Sequence, residues 1–239
     1  RVDFGLLYQN RLALLRLAYG RFAATEEFDR FCSANGSWLP DFALFMALKA
    51  KNGGAPWYSW EAGLKFRHPD VLAKAWEELE DIQFYCFVQY QFMKQWMDLK
   101  AYANSRGIRI IGDIPVYVSA DSSDAWACGE LFQFNEDHRP DAVAGCPPDA
   151  FSVDGELWGN PLYDWAYHEK TQFSWWKKRI AHCLKLYDVV RIDHFRGVEE
   201  YYSSLIENMH FKPAVKHEYR FKHLPEDNLP NNILPFRKK

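Results

Sequence analysis

The sequence predicts an α/β fold with parallel strands, and three stretches carry that reading. Residues 187–197 (YDVVRIDHFRG) hold Val189, Val190 and Ile192, the β-branched run of a short buried strand. Parallel strands covered by helices on both faces read as continuous apolar sequence, so Arg191 and Asp193 interrupt the pattern. Their spacing of two points both side chains to one face. Residues 108–118 (IRIIGDIPVYV) form a second such strand, with Arg109, Ile111 and Asp113 on one face and Pro115 ending regular pairing. Residues 173–187 (FSWWKKRIAHCLKLY) read as a helix, apolar at Trp176, Ile180, Cys183, Leu184 and Tyr187, that runs directly into the other strand. Strand, connection, helix, strand is a βαβ unit, expected to be right-handed, with Asp113 and Asp193 on one rim. Catalytic groups of α/β barrels sit on that rim. Ionisable residues at the end of a buried strand are costly unless they pair or react. Arg191 and Asp193 are therefore either a structural ion pair or part of a reactive constellation.

The remaining elements follow from periodicity and punctuation. Residues 6–22 carry Leu7, Leu14, Leu15 and Ala18 with basic residues between them, an expected amphipathic helix. Thr25, followed by Glu26 and Glu27, predicts the N-cap and acidic first turn of a second helix ending near Asn35 and Gly36. Pro40 opens a helix over 41–51 that Gly53 and Gly54 stop. Trp57, Tyr58, Ser59 and Trp60 come next, either a mini-core beneath a loop or a rim of flat rings for sugar stacking. Asp70 is expected to cap the longest helix, running to about Ser105, with Gly107 at its C′ position. Trp76, Leu79, Ile82, Phe87, Phe92, Trp96 and Leu99 keep helical spacing, which assigns most of the 17% aromatic content to core. Residues 119–164 read as mainly irregular apart from a helical turn around 123–127, and a connection that long is expected to be a lid or binding loop. After Gly197 the pattern decays into a polar, basic tail broken by Pro213, Pro225, Pro230 and Pro235. Two barrel-type strands are readable, where eight would close a barrel.

Composition narrows the function classes. A net charge of -3 over 239 residues gives no electrostatic case for nucleic acid or an anionic membrane. No apolar run approaches the ~20 residues needed to span a bilayer, and the opening residues do not read as a signal peptide. The five cysteines are scattered without a C-x-x-C pair, which suits reduced thiols in a cytoplasmic protein. Asp113, Asp193 and His194 could ligate a divalent metal by residue type, but no further His or Asp completes a ligand spacing, so no metal is expected.

The segments IIGDIPVYVSADSSDAW, AGCPPDAFSVDGELWGNPLYDW and YDVVRIDHFRG together resemble the amylomaltases, the 4-α-glucanotransferases of the α-amylase clan. WLPDFALFMALKAKNGGAPWYSW is similar to that family's upstream helical region, and the resemblance covers about residues 6–202. It implies an α/β portion of a (β/α)8 TIM-type barrel with helical insertions, the barrel incomplete. Residues 1–202 would be that partial domain, with a helical insertion at about 1–70 and a poorly ordered polar tail over 203–239. The implied activity is retaining, two-step transfer of α-1,4-glucan segments between malto-oligosaccharides, with no metal or organic cofactor.

The family's catalytic nucleophile falls on Asp193, its motif arginine on Arg191 and its histidine on His194. A retaining enzyme needs an ionised carboxylate within bonding reach of the anomeric carbon and an acid about 5–5.5 Å away. Arg191 would hold Asp193 ionised and oriented, and His194 would donate to a sugar hydroxyl. Asp113 matches the family's first barrel motif and is expected to orient its neighbours and support the pocket. Asp149, Phe151, Glu156, Trp158 and Asn160 carry over as glucan contacts. Glu156 stands where the family usually has glutamine, and Ala150 where some members have tyrosine. The family's acid/base glutamate and transition-state aspartate lie on later strands, and nothing after Gly197 resembles them; Glu199, Glu200 and Glu207 sit in ordinary polar sequence. The rival expectation is a chain silent by itself that binds glucan weakly through Phe151 and Trp158.

Overall fold

The computed structural model describes residues 2–140, 142–146 and 156–192. It comprises two compact units, Arg1–Gln95 with Asp121–Ala127, and Trp96–Ala120 with Cys128–Lys239. The expected tail over 203–239 lies outside the described residues.

In the first unit, α1 (Phe4–Tyr19) is capped by Asp3, whose carboxylate accepts from the Leu6 N–H at 3.0 Å. The expected core-facing stripe is absent, because Leu7 and Leu14 are exposed along with Leu6, Leu12 and Leu17. Leu6, Leu7, Leu14 and Leu17 share an arc of about 100° around the axis, with Leu12 on the other side, and that face is left in water. The helix meets the core only near its end, where Tyr19 packs against Phe84 and Phe87 and Arg16 grips Asp81 with two bonds of 2.7 Å. Thr25 caps α2 (Glu26–Ala34) through the Phe28 N–H, as its sequence predicts. α3 (Leu39–Lys51) has Pro40 in its first turn and buries Leu39, Ala43, Leu44, Phe45, Ala47 and Leu48. Gly53 and Gly54 end it with φ of 63° and 81°, a region that penalises other residues.

Trp57 and Trp60 are buried, and Trp60 packs on Phe45 and Trp126. Of the two readings of that cluster the mini-core holds for these two rings, since a ring sealed from water cannot stack on a sugar. After α4 (Ala62–Lys65), the single helix expected from Asp70 to about Ser105 is two helices, α5 (Pro69–Glu78) and α6 (Asp81–Ser105). His68 is the N-cap residue, Pro69 takes the first turn and Asp70 follows it inside the helix. Leu79, with ψ of 101°, leaves helical geometry, and Arg16 fixes the restart by binding Asp81. Periodicity cannot show this break, because Trp76, Leu79 and Ile82 keep their spacing across it. Trp76, Phe92 and Leu99 are exposed, which corrects their assignment to core, whereas Ile82 and Phe87 are buried. α7 (Ser123–Ala127) returns to this unit, with the Trp126 indole donating to the Leu64 carbonyl at 2.9 Å. Asp121, just before it, binds Lys49 and the Trp57 N–H.

In the second unit the end of α6 turns through Gly107, φ 76°, as expected. β1 (Ile111–Ile114) follows, then β2 (Val143–Cys146), β3 (Glu156–Pro161) and, after two helices, β4 (Val189–Ile192). β1 is shorter than residues 108–118 because Pro115 has no N–H to continue the ladder. β1 and β4 pair in parallel, Ile111 with Val189 through Ile114 with Ile192, which is the pairing the βαβ reading requires. The connection read as irregular contains an antiparallel ribbon, β2 with β3, built from short glycine-bearing stretches that carry no strand signal. α8 (Trp165–Lys170), capped by Asp164, follows that connection. α9 (Ser174–Leu186) packs on both β1 and β4. Among the described residues no helix is long and apolar enough to cross a membrane.

Candidate active site

The register of β1 and β4 sets Asp113 opposite Arg191. The Arg191 Nε donates to Asp113 Oδ1 at 2.9 Å, and its Nη2 donates to the other carboxylate oxygen. This two-pronged geometry fixes both side chains more tightly than a single contact could. The sequence shows each residue at a strand end and does not show that they pair across strands.

Asp188, immediately before β4, sets that register. Its carboxylate accepts from the Ile110 N–H at 2.8 Å and the Asn104 amide at 2.8 Å, with the Lys100 ammonium 3.5 Å away. The Ile110 N–H, then Asn104, then Lys100 hold this carboxyl below the usual carboxylate range. The Asp188 and Val189 N–H groups both donate to the Ile110 carbonyl. With the strands locked at this end, the ~3.3 Å rise per residue fixes where Asp113 and Arg191 stand at the other.

Beyond β1 the backbone carbonyls need partners that a strand would otherwise provide. Arg179 on α9 supplies them, donating to the Pro115 carbonyl at 2.6 Å and the Val116 carbonyl at 3.2 Å. The Tyr163 hydroxyl also donates to Val116, at 2.6 Å. Tyr117 stacks on Tyr163 and meets the Trp158 ring at 6.0 Å between centroids. Asn160 donates its side-chain amide to the Val118 carbonyl at 2.8 Å. Trp158 and Asn160, both on β3, are thus tied to Tyr117 and Val118 in the segment that follows β1.

Of the residues named from sequence, Asp113 and Arg191 are brought together at the strand end, whereas Trp158 and Asn160 are held at Tyr117 and Val118, farther along the chain. Glu156 opens β3, and the placement of its side chain is outside the description. Asp193, His194, Asp149 and Phe151 lie outside the described residues, as do Glu199, Glu200 and Glu207. Sequence reasoning missed Arg179, Tyr163 and Tyr117; the only available signal was Pro115, which announces carbonyls in need of donors. Among the described residues no group of three or more His, Cys, Asp or Glu could hold a metal.

A family profile described as 4-alpha-glucanotransferase matches residues 1–227. The chain belongs to that family. The 4-alpha-glucanotransferase of Clostridium butyricum is 48% identical over 206 residues, covering 84% of this chain and 42% of that protein. The enzyme of the same name from Synechocystis sp. is 40% identical over 247 residues, 96% of this chain and 48% of that one. An amylomaltase from Streptococcus agalactiae, solved in complex with acarbose, aligns with a TM-score of 0.76 and 43% identity over 82% of this chain and 41% of its own. The amylomaltase of Corynebacterium glutamicum, at 22% identity and a TM-score of 0.60, shares the fold. The chain spans less than half the length of these relatives. The likeness is to α/β, barrel-type glucanotransferases, and β1 with β4 is the parallel pair that the described residues contribute.

Proposed function

We propose that the protein carrying this chain transfers α-1,4-glucan segments between malto-oligosaccharides by a retaining double displacement, within a (β/α)8 barrel of which residues 1–202 form part. The observation that carries the reading is the Asp113–Arg191 clamp at the end of β4 in a member of the 4-alpha-glucanotransferase family. Asp193 follows that strand two residues after Arg191 and is the proposed nucleophile, bonding to the anomeric carbon while the leaving glucan is protonated by an acid from elsewhere in the protein. Arg191 keeps positive charge beside the attacking carboxylate, and Asp113 keeps Arg191 in place. His194 hydrogen-bonds a sugar hydroxyl. Asp149, Phe151, Glu156, Trp158 and Asn160 line the glucan path, the flat rings meeting pyranose faces and the polar groups reading hydroxyls.

An acceptor sugar must outcompete water for the glucosyl-enzyme, and the segment from 128 to 161 is the proposed lid that excludes water. The chemistry calls for no metal or organic cofactor, and the scattered cysteines suit a cytoplasmic setting. The test is incubation of the whole protein with maltotriose. Glucose together with longer oligosaccharides is expected, with loss of both in Asp193→Asn and inhibition by acarbose. Glucose and maltose alone would mean a hydrolase, and an active Asp193→Asn enzyme would remove Asp193 from the nucleophile role.

A further inference from the structure

Cys32 and Cys86 are the two cysteines of the first unit, and they face each other between α2 and α6. The two helices pack as a ladder. Glu27 reaches Lys94 at 3.4 Å, and the Phe28 and Phe31 rings meet Tyr90 at 5.5 and 5.6 Å. One turn on from Phe28 is Cys32, and one turn back from Tyr90 is Cys86, so the same register turns the two side chains toward each other. Stepping forward on one helix while stepping back on the other is the antiparallel register, so the facing of the thiols follows from the ring contacts beside them. A disulfide between the two positions needs a Cα separation of ~4.4–6.8 Å. Both cysteines are free thiols in this structure.

We propose that Cys32 and Cys86 form a reversible dithiol–disulfide pair that ties α2 to α6 when a small-molecule disulfide, such as oxidised glutathione, is the oxidant. The Cys32 thiol gives its proton to solvent, and its thiolate attacks one glutathione sulfur. That S–S bond breaks and one glutathione leaves. Cys86, deprotonated in turn, attacks the Cys32 sulfur of the mixed disulfide and expels the second glutathione. Two protein thiols lose two electrons and two protons, and one disulfide is reduced to two thiols. Cys32 reacts first because it is half-buried whereas Cys86 is buried. Burial pushes the Cys86 thiol up to about 12, and burial with the nearby Asp29 also raises Cys32, so exchange is slow and favours mildly alkaline solution.

The experiment treats the folded 239-residue chain with oxidised glutathione in mildly alkaline buffer. The reaction is then quenched with acid, remaining thiols are alkylated, and the digest is mapped by mass spectrometry. The expected product is one peptide pair joined through Cys32 and Cys86 and released by dithiothreitol. It should persist in Cys128→Ser and Cys183→Ser and vanish in Cys32→Ser. The bond closes a loop of some fifty residues, so the unfolding midpoint should rise by roughly 5 °C or more over the reduced chain. The proposal is overturned if Cys32 stops at the mixed disulfide with Cys86 still alkylated, or if Cys32 pairs with another cysteine. It is equally overturned if the bond forms only after denaturation, or if the midpoint does not move.

Discussion

Arg191 and Asp113 remain 48% and 46% exposed in their side chains, and that exposure decides between two roles for the pair. An ion pair this wet contributes about 0–1 kcal/mol to folding, too little to explain two ionisable groups at adjoining strand ends by stability. Its value lies in holding the guanidinium still. Asp113→Asn, which keeps shape and removes charge, should move the unfolding midpoint by no more than roughly 2–4 °C. In the whole protein it should lower kcat for maltotriose disproportionation by about 100-fold, since small misplacements near reacting atoms are that costly. Arg191→Lys keeps charge but loses the fork and should fall between wild type and Asp113→Asn. Unchanged kcat in Asp113→Asn would leave the clamp without a catalytic purpose. His168 offers a second test at this scale, independent of activity. Its ring is wholly buried, with Nε2 3.2 Å from the Leu131 carbonyl and Nδ1 without a partner, so the neutral form with the proton on Nε2 fits. Burial lowers its pKa in the fold. The unfolded chain therefore takes up a proton that the folded chain resists, and the contribution to stability is full above about pH 6.5 and declines as pH falls below it. His168→Gln keeps a donor for Leu131 and cannot titrate. Urea unfolding between about pH 5 and 7 should give a flatter stability profile for the variant, and identical slopes would contradict this account.

Among elements, the parallel pair of β1 and β4 depends on one close approach. A Cβ added to Gly112 would lie 2.0 Å from the Tyr187 ring, which itself packs edge-on against Trp96. Gly112→Ala should therefore cost about 1–3 kcal/mol by overpacking. Tyr187→Ala removes the obstacle, so the double variant should be clearly more stable than the two single losses added together predict. Additive losses in chemical denaturation would show that the ring moves aside freely. This contact also marks the limit of what the sequence reveals. Val189, Val190 and Ile192 announce β4, and the helix before it makes the βαβ unit readable, because both signals are local periodicities. The packing of Tyr187 over Gly112, the clamp of Arg191 on Asp113 and the grip of Arg179 on two carbonyls are tertiary, and no spacing encodes them. The break between α5 and α6 was hidden for the same reason. The ribbon of β2 and β3 was hidden because short glycine-bearing strands owe their pairing to each other and not to propensity.

For the molecule as a whole, the sequence carried the family more clearly than the surface. Three linked segments spell out the 4-alpha-glucanotransferase resemblance, yet their apolar residues do not say which face each helix or strand will leave in water. Phe4, Leu6, Leu12, Leu14 and Leu17 on α1 are exposed, and so are Ile111 on β1 and, at 81%, Leu157 on β3. Clusters of apolar surface on this scale drive association, and a net charge of -3 over 239 residues opposes it weakly. The 239-residue chain should therefore bind a hydrophobic dye such as ANS and show a mass, by light scattering after gel filtration, that rises with loading concentration. Leu14 and Leu17 lie well out in solvent, so replacing both with lysine removes apolar surface at little cost to folding. That double variant should shift the mass distribution toward monomer while its unfolding midpoint stays within about 2 °C of the parent. A parent chain that runs as a monodisperse monomer at every concentration, with no dye binding, would show that these leucines do not form a sticky surface in solution. A variant that associates as strongly as the parent would move the cause from α1 to the exposed strands, where Ile111 and Leu157 are the next substitutions to make.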